Sequence, residues 1–196
     1  MTDTSLTPDR ILDATEQVLR RFGPDKATVV DVARALDVSH GSIYRHFPSK
    51  AALRDAVAER WLHRVAAPLE AIAAADGLAD AKLRRWLEEL IAQKRRKVRD
   101  DPEMFATYVA LAQESRGAVD RHVAELLGQI RAIIDAGCAD AVFFVADAAA
   151  AARAVFQATA RFHHPAHAAE WDDPQIDRDF EAVWHLVLAG LKGGAA

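Results

Sequence analysis

The sequence predicts an all-α fold: an N-terminal three-helix helix-turn-helix domain over residues 1–64, then a helical bundle over residues 65–196, about nine helices in all. Three observations lead there. Apolar residues recur at helical spacing along the chain, and no stretch alternates with the period of two that a half-buried strand requires. Capping residues and prolines stand together at helix starts, as in Thr7-Pro8 and Asp101-Pro102. The second and third predicted helices are joined by about three residues, the connection of a helix-turn-helix.

Taken in order, Thr7, Pro8 and Asp9 supply an N-cap, a first-turn proline and a dipole-matched acid. Ile11, Thr15, Val18 and Phe22 form a stripe backed by Leu12 and Leu19, and Gly23-Pro24 ends the element. Thr28 caps a second helix with Val29, Val32, Ala33 and Leu36 on one face. Asp37-Val38-Ser39 reads as a turn. Ser39 caps a third helix, which Pro48 closes after about eight residues, with Ile43 and Phe47 assigned to the core. Ser49 caps a fourth, with Leu53, Val57, Trp61 and Val65 along it. Beyond Pro68 the spacing predicts helices near 80–99, 102–114, 118–136, 147–164 and 174–192, the last started by Asp173-Pro174. Short connections between antiparallel neighbours suggest a bundle.

Composition bounds the function classes. With 51% hydrophobic and 28% charged residues the chain has the balance of a soluble globular protein. The single cysteine, Cys138, excludes an internal disulfide and fits a reducing cytoplasm. No secretory signal is evident at "MTDTSLTPDR", and no apolar run is long enough to cross a membrane. Formal net charge is −4, yet residues 1–64 carry ten basic against nine acidic side chains.

The placement of those charges is more informative than their sum. From Val38 to Arg54 there is no Asp or Glu, while Arg45, Lys50 and Arg54 are present beside His40, Tyr44 and His46. This window covers the third helix and the start of the fourth, the parts of a helix-turn-helix that meet an anionic duplex.

The stretch "TVVDVARALDVSHGSIYRHFPSKAALRDAV", residues 28–57, resembles the DNA-binding domain of TetR/AcrR-type transcriptional repressors. "VARAL", the "VS.GSIY.HF" core and the "SKAAL" helix start carry the likeness, which is close over residues 8–62 and architectural beyond. The resemblance implies that His40, Gly41, Ser42, Tyr44, Arg45 and His46 face the major groove, with Thr28, Ser39 and Lys50 beside them. Arg45 is the candidate base reader, because a guanidinium can grip guanine O6 and N7 together. Ser42 and Tyr44 suit phosphates through their hydroxyls, Lys50 suits one at its helix start, and Gly41 allows close backbone approach. At one turn position this family usually has Gly where this sequence has Asp37. An Asp tolerates left-handed backbone better than most residues.

The C-terminal region is expected to hold an effector pocket and a dimer interface. Leu83, Trp86, Leu87, Leu90, Lys94 and Val98 follow one stripe, so Lys94 interrupts an apolar face, either as a snorkelling side chain or as a partner for an anion. Trp86, Leu90, Lys94, Phe105, Tyr108, Phe156 and Phe162 are the candidate lining of a site for a mostly apolar small molecule. Phe180, Val183, Trp184, Val187 and Leu191 form a broad stripe on the last helix, and with Ala154 and Ala158 they are the expected dimer seam. His163, His164 and His167 lie close together, but Pro165 interrupts the helical spacing of a zinc site, so no metal is expected.

The expectation is a cytoplasmic, homodimeric repressor, without cofactor or enzymatic activity, released from a palindromic double-stranded DNA operator by a small effector. No Ser/His/Asp set, Gly-rich phosphate loop or metal constellation supports an enzyme. The alternative is a helical ligand-binding or interaction module that does not bind DNA.

Overall fold

The computed structural model describes residues 5–193, and these contain helices and no strand. Ten α-helices are formed: α1 Pro8–Lys26, α2 Val29–Ala35, α3 His40–Tyr44, α4 Lys50–Ala74, α5 Ala79–Asp100, α6 Pro102–Glu114, α7 Arg116–Ala139, α8 Ala148–Ala158, α9 Ala160–His163 and α10 Ile176–Leu191. A 3-10 helix, Pro165–Glu170, lies between α9 and α10. None of them is long and apolar enough to cross a membrane.

One compact unit joins the chain up to His63 with Asp101–Asp120; a second joins Arg64–Asp100 with the residues from Arg121 onward. By packing, α6 groups with the N-terminal helices. In that first unit α1 packs on both α2 and α6, and α2 packs on α3. Thr7 caps α1 by accepting from Arg10 N at 3.3 Å. Ile11, Leu19, Val32, Ile43, Val57 and Leu111 are among its fully or nearly buried side chains. Polar ties reinforce it: Arg60 bridges Asp13 at 2.8 Å and Glu16 at 2.7 Å, and Arg20 pairs with Asp101.

In the second unit the core runs through Leu83, Trp86, Leu87 and Leu90 of α5, Ile130, Ile133 and Ile134 of α7, and Phe162, Phe180 and Trp184. Gly137 permits one close approach: a Cβ there would stand 2.3 Å from Phe143 Cδ2 and 2.8 Å from Ala79 Cβ.

The elements follow the sequence except where tertiary or local chemistry intervenes. α1 continues to Lys26 across a break at Gly23, whose φ of 74° and ψ of 169° are not helical. α3 has five residues, after which the chain tightens, with His46 N–H bonding Ile43 O at 3.0 Å, because Pro48 disfavours helical backbone at Phe47. The single helix expected over 147–164 breaks at Thr159, whose hydroxyl bonds back to Val155 O at 2.9 Å and Phe156 O at 3.3 Å, a known local competitor of the helix. Asp173-Pro174 makes a turn ahead of α10 rather than its first residues: Asp173 Oδ1 accepts from Gln175 N at 2.8 Å, and the helix starts at Ile176.

Candidate nucleic-acid interface and effector site

The turn before α3 is built from backbone. Asp37 lies at φ 54°, Asp37 N–H bonds Arg34 O at 3.2 Å, and Val38 N–H bonds Ala33 O at 3.0 Å. These two bonds complete a Schellman ending for α2, with Asp37 at the left-handed position where glycine is favoured. The turn needs that conformation whatever residue supplies it.

Beyond it, the acid-free window is held mostly outward. Ser39, His40, Gly41, Tyr44, Arg45, His46 and Lys50 are exposed, and Ser42 is half-buried. Ser39 caps α3 by accepting from Ser42 N at 3.2 Å, and the two hydroxyls lie 2.9 Å apart. Arg45 Nη2 donates to Ser42 Oγ at 3.2 Å, which leaves the rest of its guanidinium fork available. Tyr44 is 41% exposed and edge-on to His40, with ring centroids 6.3 Å apart. Ile43 alone of α3 is buried, at 1% exposure, so the core holds α3 by one side chain and frees the rest. Phe47, expected in the core, is half-buried. Arg54, the third cation of the window, turns to Glu114 and to the carbonyl of Pro24 and is spent on structure.

Thr28 sits at the start of α2 in a reciprocal capping box: Asp31 N donates to its Oγ1 at 3.2 Å, while its own N–H and hydroxyl donate to Asp31 Oδ2 at 3.2 and 2.6 Å. That hydroxyl and the Arg34 guanidinium hold the Asp31 carboxyl below its usual range. A Cβ on Gly41 would meet only Ser39 Oγ, at 3.7 Å, so nothing within the chain requires glycine there.

The expected ligand residues divide between the two units. Phe105 and Tyr108 belong to the first, where Tyr108 stacks on Trp61 with centroids 4.7 Å apart and planes 9° from parallel. Trp86, Leu90, Lys94, Phe156 and Phe162 belong to the second. Trp86, Leu90 and Phe162 are buried, and Phe156 is half-buried against His163 with centroids 4.7 Å apart. Lys94 does not snorkel: it is 5% exposed, and burial together with the Lys97 charge pulls its ammonium down to about 8. Sequence reasoning missed its buried companions Gln93 and His122, each 7% exposed. The signal was present, because both sit on the core stripes of their helices. Gln93 Nε2 and His122 Nδ1 have no hydrogen-bond partner. Burial, then the Lys94 charge, push His122 down to about 4 and His163 down to about 3.

The three C-terminal histidines have separate local duties. His163 lies 3.3 Å from Thr159 Oγ1, His164 Nδ1 accepts from Ala166 N at 3.2 Å, and His167 pairs with Glu170 at 2.8 Å. Among the described residues no group of three or more His, Cys, Asp or Glu could hold a metal ion. A cleft of about 780 Å³ lies between α5, the 3-10 helix and α10, but none of the expected ligand residues lines it. Arg95 and Asp177 of its walls pair with each other at 2.7 Å.

The residues expected at a dimer seam also divide. Phe180, Trp184 and Leu191 are 6%, 3% and 4% exposed within the single chain, turned into its own core, and so cannot meet a second copy. The reason is rotational: the apolar stripe of α10 is wider than one face, and the α5 and α9 side chains take the part that includes Trp184, with Arg84 5.9 Å above its ring and Phe162 5.4 Å from Phe180. Val183 and Val187 are half-buried against the same core, Leu186 is exposed, and α8 exposes Ala150, Ala154 and Ala158.

Comparison with known proteins follows the same two parts. A family model described as bacterial regulatory proteins, tetR family, matches residues 11–57, and one described as tetracyclin repressor-like, C-terminal domain, matches residues 79–184. An uncharacterized HTH-type transcriptional regulator of Mycobacterium tuberculosis is 33% identical over 105 residues, covering 54% of this chain and 50% of its own. The HTH-type transcriptional repressor KstR of Mycolicibacterium smegmatis is 30% identical over 118 residues, covering 60% and 57%. The chain thus spans about half the length of the curated relatives it matches. Among solved structures, SmeT, the repressor of the Stenotrophomonas maltophilia multidrug efflux pump SmeDEF, superposes with a TM-score of 0.69 over 97% of this chain and 93% of that one. Its 20% identity makes the likeness one of fold.

Proposed function

The chain belongs to the TetR family of bacterial regulatory proteins, and on that premise we propose that it is a homodimeric repressor, released from a palindromic operator by a small-molecule effector. It acts in the cytoplasm, where the operator is, and regulates rather than catalyses. The observation that carries this reading is the exposed, acid-free surface of α3 and the start of α4, where Tyr44, Arg45, His46 and Lys50 all stand outward. A solvated helix with no nucleic-acid role would have no reason to exclude acids over residues 38–54 of a chain with net charge −4. The similarity to KstR and SmeT, both named as repressors, favours repression over activation.

Dimerisation follows from reach. One recognition helix reads only a few base pairs, too few to find a site in a genome, whereas two copies about 34–36 Å apart read successive major grooves. The outward faces of α8 and α10, with exposed Ala150, Ala154, Ala158 and Leu186 and the half-buried Val183 and Val187 at the edge, offer small residues for close approach and apolar area to bury. Selecting fragments of the genome with the purified protein, followed by gel shifts on them, tests the proposal. Recovery of a near-palindrome bound by a dimer is expected. A protein that enriches no sequence would instead be the interaction module.

A further inference from the structure

Glu88, Ile91, Ala92, Arg95, Arg96 and Arg99 recur at helical spacing and so share one face of α5. That face is one wall of the cleft of about 780 Å³. The facing wall comes from Trp171 and Asp172, just after the 3-10 helix, and from Asp177, Phe180 and Glu181 of α10. Both walls belong to the second unit. The volume falls within the roughly 300–1,000 Å³ of small-molecule sites. Ile91, Trp171 and Phe180 are 6%, 5% and 6% exposed, so the least exposed part of the lining is apolar.

The two ends of the cleft differ in how their charges are used. At one end Arg84, outside the lining, bonds Glu88 at 2.8 Å and both oxygens of Glu181, which neutralises those acids. The other end lies about 16 Å further along α5, where Arg95, Arg96 and Arg99 gather on one turn. Arg95 Nη1 pairs with Asp177 at 2.7 Å, yet its Nε is buried without a hydrogen-bond partner. Arg96 pairs with Glu89 at 3.0 Å and keeps half of its side chain exposed. Arg99 is exposed and, among the described residues, makes no ion pair or hydrogen bond. Two acids thus serve three guanidiniums, and donors outnumber acceptors on this turn. On an open helix face such arginines would be ordinary solvated charges. Here they border a ligand-sized hollow with an apolar lining.

We propose that this cleft binds a small apolar or aromatic molecule carrying one acidic group, its hydrocarbon against Ile91, Trp171 and Phe180 and its acid on Arg96 and Arg99. The acid supplies acceptors that the arginine turn lacks, in the charge-assisted bonds a guanidinium makes well. One negative charge is preferred to two, because Asp172 of the facing wall has no ion pair among the described residues and repels a second. The site lies apart from the expected effector lining, none of which reaches the cleft. Occupancy needs no DNA, so failure here leaves the regulator reading standing, and failure of operator binding leaves this site standing.

The test is fluorescence titration of the full chain, free of DNA, with anilinonaphthalenesulfonate against phenylnaphthylamine, the same ring system without the acid. The sulfonate should bind saturably and about tenfold or more tightly than the neutral dye, the size of one charge-assisted hydrogen bond. Replacing the two exposed arginines together, Arg96→Ala with Arg99→Ala, should bring that ratio to about one and leave the melting temperature nearly unchanged. Ala92→Phe fills the cleft from α5 and should weaken both dyes, with far-UV circular dichroism confirming the fold. The site is overturned if the sulfonate does not saturate or if the two dyes bind alike. It is equally overturned if the sulfonate preference survives the arginine substitutions, since the dye then sits elsewhere in the bundle.

Discussion

Trp86 donates its indole N–H to Gln129 Oε1 at 2.9 Å, deep in the core and between two different helices. Gln129 completes its role by donating to Ala66 O, so one amide satisfies two buried polar groups. Gln129→Leu should therefore cost about 1–3 kcal/mol, because it leaves the indole N–H unmatched. Gln93, equally buried but with Nε2 unpaired, predicts the opposite: Gln93→Leu should be neutral or stabilising. Urea titration of the two variants compares them directly. Equal losses would show that the amide of Gln93 is as much a structural group as that of Gln129.

Lys94 makes stability depend on pH in a defined window. Its folded value of about 8 lies below the ordinary 10.5, so between these the unfolded chain binds the proton more readily and stability rises with pH. Below about 8 the cost of the buried ammonium is present in full. Lys94→Met should stabilise the protein by roughly 1–3 kcal/mol at pH 7, with the advantage shrinking toward pH 10.5. Denaturation midpoints of both proteins across that range check it. A destabilised Lys94→Met at pH 7 would contradict this account.

The imidazoles act at the other end of the scale. His122 and His163 are held neutral in the fold, at about 4 and about 3, against 6.5 when unfolded. Their contribution is present above 6.5 and lost as pH falls toward 4, on the order of 3 kcal/mol for each. His122→Phe should flatten the acid limb of the stability profile, measured by thermal melts from pH 7 to pH 4. An unchanged acid limb would place the loss elsewhere.

On the proposed DNA-facing surface, Arg45→Ala should cost about 1–3 kcal/mol and relax preference at one base pair per half-site. Lys50→Ala should weaken all sequences alike and reduce the salt slope by about one unit per monomer. Gly41→Ala is the sharper probe, since the fold has room for the methyl group. It should melt like the parent yet bind operator more weakly, if the backbone lies against the duplex. Asp37→Gly should stabilise the chain by about 1 kcal/mol, by relieving a left-handed φ of 54°.

On α10, Trp184→Glu should unfold the bundle, since it buries a carboxylate in this chain's own core. Leu186→Glu, on the outward face at 75% exposure, should leave the fold intact and yield a monomer that loses specific operator binding. Sedimentation with far-UV circular dichroism separates the two outcomes. A Leu186→Glu protein that stays a tight dimer would remove α10 from the seam.

By itself the sequence determined what depends on neighbours along the chain. The Thr7-Pro8 and Asp101-Pro102 starts, the Thr28 capping box and the left-handed turn at Asp37 are local hydrogen-bonding problems, and residues within five positions solve them. The exposed α3 surface was legible for the same reason, together with the resemblance carried by its motif. Tertiary structure alone decided which side of a wide stripe faces inward. On α10 the periodicity put Val183 and Trp184 on one broad apolar stripe, and only the packed side chains of α5 and α9 settled that Trp184 is core while Val183 is half-buried. It also decided what a lysine on an apolar stripe does. A flexible four-carbon chain can reach water or stay buried, and helix periodicity does not distinguish the two. Lys94 is buried where its charge acts on His122 of α7 and His163 of α9, residues up to sixty-nine positions away, a relationship that no local rule contains.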